Sequence, residues 1–231
     1  EELGKMDFIF ITLKAYSIPG VVKEITKMFH ENTSVITAYN GIPWWYFYNT
    51  EGKFNNYRIN CVDPENIQWN LITPKRIIGC VVYPATEMIR PGVIKHIEGN
   101  RFSLGEPNGK QSERILKISK ALVESGLKAP IRSNIRKDIW TKLIGNLAFN
   151  PLSVITEDTL DILLSKEENR NIAYSAMIEA DGQRILFDTG SREKTVIQNA
   201  KELKINLDNI DNVFLSHNHK DHTGGLINLK L

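Results

Sequence analysis

Residues 7–38 read DFIFITLKAYSIPGVVKEITKMFHENTSVITA, and the reading of this stretch decides the fold. Asp7 to Thr12 is a short apolar run of the kind that forms a buried strand. Ile18 to Phe29 carries apolar residues at helical spacing, and Ser34 to Ala38 is a second strand. Strand, helix, strand in close succession predicts an α/β fold.

The same signals continue outward. Asn40-Gly41 is a turn after the second strand, and the aromatic run Trp44, Trp45, Tyr46, Phe47, Tyr48 follows it. Such a run serves either as a ligand wall or as core packing, and packing is the commoner use of large aromatics. Ile77 to Tyr83 predicts another strand, and Val93–Ile97 with Arg101–Leu104 predicts a hairpin about Gly99-Asn100. From Ser112 the period turns helical, with Ile115, Ile118, Ala121 and Leu122 on one face and Gly126 as the stop. A second domain is therefore expected to begin near residue 110. After Asn171 a third segment is expected: a hairpin of Ser175–Ala180 and Arg184–Phe187 about Asp181-Gly182, a helix over Glu193–Leu203 and a strand at Val213–Leu215.

Composition narrows the class. The chain has 231 residues, of which 42% are hydrophobic and 24% charged, values that argue against disorder or a low-complexity scaffold. Lys plus Arg number 29 against 27 Asp plus Glu, a net charge of +2 with no basic run, so no nucleic-acid partner is expected. The longest strongly apolar stretch, Ile77 to Ala85, is far short of the roughly 18 residues of a membrane helix. No signal peptide is visible, and a cytoplasmic protein acting on a small molecule, with no membrane partner, is the simplest expectation. Cys61 and Cys80 have no close cysteine partners and read as reduced core residues. The chain opens on Glu1 and closes on Leu231 just after a motif that normally opens a site, so a fragment is expected.

One helix carries a candidate site. Ser133 or Asn134 can cap it, and Ile135, Ile139, Leu143 and Leu147 form its apolar stripe. Pro151 is expected to force Asn150 out of helical geometry. Beside the stripe lie Lys142, Asn146 and Asn150, four residues apart. Spacing alone leaves two readings open, a solvated face or a site.

From about residue 7 to 172 the chain resembles the ketopantoate reductases (2-dehydropantoate 2-reductases). The resemblance runs through Thr12-Leu13-Lys14-Ala15, Tyr39-Asn40-Gly41, Gly79-Cys80-Val81-Val82-Tyr83-Pro84-Ala85 and Trp140-x-Lys142-Leu143-x-x-Asn146-x-x-x-Asn150-Pro151. It implies a Rossmann domain over 1–109, the start of an all-helical domain over 110–172, and NADPH-dependent reduction of 2-dehydropantoate to pantoate for pantothenate synthesis. It further implies that Lys142 is the general acid, Lys14 binds the cofactor, Asn40 lines the junction of cofactor and substrate, and Asn146 and Asn150 bind substrate. An ammonium suits that chemistry, because hydride delivery to a ketone builds negative charge on its oxygen. The chain also departs from the pattern: no two glycines stand two positions apart, so the G-x-G-x-x-G turn is absent. A partial Rossmann domain lacking its first strand and glycine-rich loop is expected, with weak activity or none. A homodimer is left open.

From about Tyr174 onward, over 173–231, the chain resembles the αββα metallo-β-lactamase fold through Phe187-Asp188-Thr189-Gly190 and His217-x-His219-x-Asp221-His222. Three of the five histidines fall between His217 and His222, and imidazole with carboxylate suits zinc or iron. The resemblance implies His217 and His219 on one metal, Asp221 and His222 on a second, and a bridging water as nucleophile. Only the first part of that fold is expected, with the junction between Asn171 and Ala180. Three readings result: a reductase-like oxidoreductase, a metal-dependent hydrolase fragment, and a non-functional chimera of the two.

Overall fold

The computed structural model describes residues 3–165, 176–180, 183–190, 193–202, 204–215 and 223–229. It divides into two compact units, Glu1–Leu143 and Ile144–Leu231.

The first unit carries strands β1 (Phe8–Ile11), β2 (Ser34–Thr37), β3 (Ile77–Val82), β4 (Ala85–Arg90), β5 (Val93–Glu98) and β6 (Phe102–Gly105). β1, β2 and β3 lie side by side and parallel, and β6 pairs antiparallel with β3. Both faces of β3 are covered, and its side chains alternate between two cores. Ile77 and Val81 join Ile11, Val22, Val35, Trp44, Trp45 and Ile72 on one side, whereas Ile78 and Cys80 join Ile36, Leu104, Ile115 and Ile118 on the other. A strand buried on both faces reads as an unbroken apolar run, which is why Ile77–Val82 shows no polar alternation. The aromatic run is core: Trp44 and Trp45 are buried, and Trp45 Nε1 donates to Thr37 Oγ1 at 3.0 Å.

Three local expectations change. Between β1 and β2 the helix is short: 3-10 turns at Ala15–Ser17 and Pro19–Val21 precede α1 (Val22–Thr26). Pro19 lacks the amide that would continue a helix through Ile18, yet Ile18 and Val22 are still buried as their spacing requires. The hairpin is also different. β5 pairs with β4 about Pro91-Gly92, where Gly92 has φ +79°, while β6 takes the open side of β3 and buries Leu104 there. Cys61 is exposed, and its neighbour Val62 packs on the core in its place.

After α2 (Ile67–Leu71) come α3 (Glu113–Glu124) and α4 (Ile135–Thr156). Ser112 Oγ caps α3 by accepting from Ile115 N, and Gly126 follows its end at φ +85°. Of the two candidate caps of α4, Asn134 accepts from Lys137 N at 3.2 Å. This helix does not end at Asn150. Pro151 lies inside it, so the missing amide, worth about 3 kcal/mol in a helix interior, is outweighed by the helical turns on either side.

A flat patch on the sheet seats the first turn of α4. Gly79 and Gly105 face each other across β3 and β6. A Cβ on Gly79 would lie 2.7 Å from the Trp45 ring, and one on Gly105 would lie 2.5 Å from Ile135 Cβ. Only hydrogen at both positions lets the indole and Ile135 approach the sheet.

The second unit continues with α5 (Leu160–Ser165), β7 (Ala176–Ala180), β8 (Gln183–Phe187), α6 (Thr195–Glu202) and β9 (Asn212–Phe214). β7 and β8 form the expected hairpin, and β9 lies parallel to β8. Leu186, Phe187, Val196 and Ala200 are buried, and Phe187 stacks on Phe214 at 5.0 Å. Among the described residues no helix is long and apolar enough to cross a membrane.

Candidate active site

Because β1, β2 and β3 are parallel, their carboxyl ends share one edge, where open α/β sheets bind ligands. Lys14 follows β1 there; its side chain is exposed and its carbonyl accepts from Ser17 N at 2.9 Å. Ala38 N donates to Ile11 O at 2.9 Å, tying the ends of β1 and β2 together. Asn40 comes two residues later, exposed, before Gly41 at φ +97°. The intervening Tyr39 packs on the core, and burial, with the charge of Asp63 adding to it, raises its hydroxyl pKa above the usual range. Asp63 is buried and accepts from Gln68 N and Trp69 N, each at 2.9 Å, so it holds the first turn of α2.

Lys142 reaches the same edge from α4. Its half-buried amine donates to Val82 O, on the last residue of β3, and lies 5.5 Å from the centre of the Tyr83 ring. Burial lowers its pKa from the usual lysine value, and Cys80 acts in the opposite sense. The Cys80 thiol is itself pushed up to about 12 by burial, with Lys142 pulling it back. The edge therefore holds an amine that releases its proton more readily than a solvated lysine. Asn146 and Asn150 lie on the part of α4 that belongs to the second unit, Asn146 half-buried and Asn150 exposed.

The sequence reading missed Arg136. Its Nε donates to Tyr46 O at 2.6 Å, Nη2 to Tyr48 O at 2.7 Å and Nη1 to Pro107 O at 2.5 Å. One turn on, Trp140 Nε1 donates to Tyr46 OH at 2.7 Å. No sequence signal marks Arg136, because its acceptors are main-chain carbonyls far away in the chain. A polar cavity of about 640 Å³ opens elsewhere, before β2 and β3, beside Thr33, Thr73, Arg76 and Arg114. Arg76 there points its donors at the carbonyls of His30, Glu31 and Thr33, and Arg114 at Glu106.

In the second unit the Asp188-Thr189-Gly190 loop is buried, with Asp188 at φ +54°. Asp188 N donates to Phe214 O at 2.8 Å, and Gly224 N donates to Gly190 O at 2.9 Å. A Cβ on Gly225 would lie 2.3 Å from Thr189 O. The loop thus binds residues on both sides of 216–222 in the chain. His217, His219, Asp221 and His222 lie outside the described residues. Among the described residues no group of three or more His, Cys, Asp or Glu could hold a metal ion.

Residues 1–109 match the family model of ketopantoate reductase PanE/ApbA. A 2-dehydropantoate 2-reductase of Mesorhizobium japonicum is 47% identical over 180 residues, 78% of this chain and 55% of the relative. This part of the chain is of the ketopantoate reductase family. A candidate ketopantoate reductase from Ralstonia solanacearum MolK2 has a solved structure that agrees with TM-score 0.67 at 34% identity, over 74% of this chain and 55% of that one. The 2-dehydropantoate 2-reductase structure from Methylococcus capsulatus agrees with TM-score 0.55 at 27% identity, over 75% and 50%. The chain spans about half the length of these ketopantoate reductases. Residues 165–231 match a different model, that of the anti-Pycsar protein Apyc1. Over 60 residues the chain is also 43% identical to a 7,8-dihydropterin-6-methyl-4-(beta-D-ribofuranosyl)-aminobenzene-5'-phosphate synthase of Methanocaldococcus jannaschii, 25% of this chain and 20% of that protein.

Proposed function

We propose that the first part of this chain carries the acid and binding groups for NADPH-dependent reduction of 2-dehydropantoate to pantoate. The Lys142 amine carries the reading: it is half-buried, depressed in pKa, and held at the carboxyl edge of a parallel sheet. The bound cofactor would supply hydride. Lys142 would stabilise the charge that develops on the ketone oxygen and then protonate it. Lys14 and Asn40, at the ends of β1 and β2, fit the cofactor side of such a site, and Asn40, Asn146 and Asn150 are the amides that would orient the substrate. The residues present fit only part of a dinucleotide, since the glycine-rich turn that cradles a pyrophosphate is not in the sequence. The test is 2-dehydropantoate-dependent consumption of NADPH by the folded chain, expected to be slow. Loss of turnover in Lys142→Ala but not in Lys137→Ala, an exposed lysine of the same helix, supports the reading. Equal rates in the two variants, or no turnover with NADPH bound at saturation, would sink it.

We infer a second reading for residues 173–231, a metal-binding segment of the metallo-β-lactamase type. The buried Asp188-Thr189-Gly190 loop, bonded to both chain flanks of the His-x-His-x-Asp-His motif, favours it. His217, His219, Asp221 and His222 would be the ligands of zinc or iron. Stoichiometric metal in the purified chain that falls in His217→Ala supports this; a metal-free chain after growth with added zinc and iron opposes it.

A further inference from the structure

The first two turns of α4 carry three residues, Ile135, Arg136 and Trp140, that hold them within the first unit. Ile135 seats on the patch left open by Gly79 and Gly105. Arg136, half-buried, directs its guanidinium to three carbonyls, two in the aromatic segment and one in the loop after β6. Its planar fork suits this, because fixed donors in one plane meet several acceptors at once, which a lysine cannot do. Trp140 adds the bond to Tyr46 OH on the next turn.

The consequence falls on Lys142. Each helical residue turns by about 100° and rises about 1.5 Å, so a slip of one residue would carry the amine away from Val82 O. The fasteners of the first two turns therefore set where the amine points. We propose that Arg136 is a positioning residue, whose fork fixes the rotation of α4 and so holds Lys142 Nζ at the end of β3. This deepens the reductase reading, in which Lys142 is the acid, but its test needs no turnover.

The test follows the Lys142 amine directly in the full chain. Lysines are dimethylated with ¹³C, the Lys142 resonance is assigned by its absence in Lys142→Arg, and its titration is compared in wild type, Arg136→Lys and Arg136→Ala. Wild-type Lys142 is expected to titrate below the other lysines. Both Arg136 variants are expected to move it upward, towards the other lysines, while near-ultraviolet circular dichroism stays native. Ile118→Val, which loosens the core on the other face of the sheet, serves as control and should leave Lys142 where it is. Arg136→Lys, the milder change, decides the matter if Arg136→Ala does not fold. The proposal is overturned if Lys142 titrates as in wild type in the folded Arg136 variants, if Ile118→Val moves it as far, or if wild-type Lys142 already titrates with the other lysines. Failure of NADPH turnover would leave this result standing, so the two readings fail separately.

Discussion

Gly79→Ala tests the seat of α4 most sharply. The new methyl would stand 2.7 and 2.9 Å from two atoms of the Trp45 ring, closer than real Cβ contacts come, and 3.1 Å from Ile135 Cγ1, tighter than most. The indole cannot withdraw freely, because it is fully buried and its Nε1 is bonded to Thr37 Oγ1. Overpacking of this kind costs about 1–3 kcal/mol. Losing the indole hydrogen bond adds about 1 kcal/mol. Alanine offsets about 0.4–1 kcal/mol by restricting the unfolded chain, since Gly79 does not need positive φ. The net expectation is a loss of about 2 kcal/mol, or a fall of about 1 M in the urea midpoint. All four tryptophans lie in the first unit, so their fluorescence follows that unit's unfolding. Gly20→Ala, with nothing within 4 Å of its added carbon, is the neutral control. A Gly79→Ala midpoint within error of that control would refute the seating argument.

Three further outcomes are expected. Glu106 is buried and accepts from Arg114 Nε at 2.8 Å, Arg114 Nη2 at 2.6 Å and Ser112 Oγ at 2.5 Å, so Glu106→Ala strands a cation and should cost about 2–3 kcal/mol, less than a fully buried pair because Arg114 is partly exposed. Denaturant midpoints check this, and Glu106→Ala at wild-type stability would contradict it. A disulfide reagent at mildly alkaline pH should label Cys61 alone in the native chain and Cys80 only after denaturant, because Cys61 is exposed while Cys80 is buried with its thiol pushed up to about 12; rapid labelling of both thiols would count against the placement of β3. The amine of Lys142 loses its proton more easily folded than unfolded, so between its lowered pKa and the ordinary 10.5 the unfolded chain binds more protons and stability rises with pH. Wild type should therefore gain stability relative to Lys142→Met as pH rises through that window, and parallel pH profiles for the two proteins would show the amine to be unburied.

Much of the local structure around the candidate site could be read without coordinates because its signals are local. Lys14 and Asn40 follow apolar runs read as strands, although only the family resemblance gave them roles, and Asn134 and Gly126 stand at helix ends recognisable from their immediate neighbours. Pro151 misled for the complementary reason: a local preference against helix at Asn150 was overridden by the turns flanking it. Arg136 was invisible because its hydrogen bonds go to main-chain carbonyls, which any residue can supply.

The order of apolar runs and turns alone determined an α/β chain with strands expected over Asp7–Thr12, Ser34–Ala38 and Ile77–Tyr83, where strands Phe8–Ile11, Ser34–Thr37 and Ile77–Val82 form, since hydrophobic period and turn chemistry act over a few residues. Tertiary structure alone decided that β5 pairs with β4 and β6 with β3, that Cys61 is exposed, and that Gly79 meets Gly105 to open a seat for α4. Those outcomes depend on which surfaces meet across tens of residues. Strand partners and buried faces are chosen by the packing of the whole unit, which no window of sequence contains.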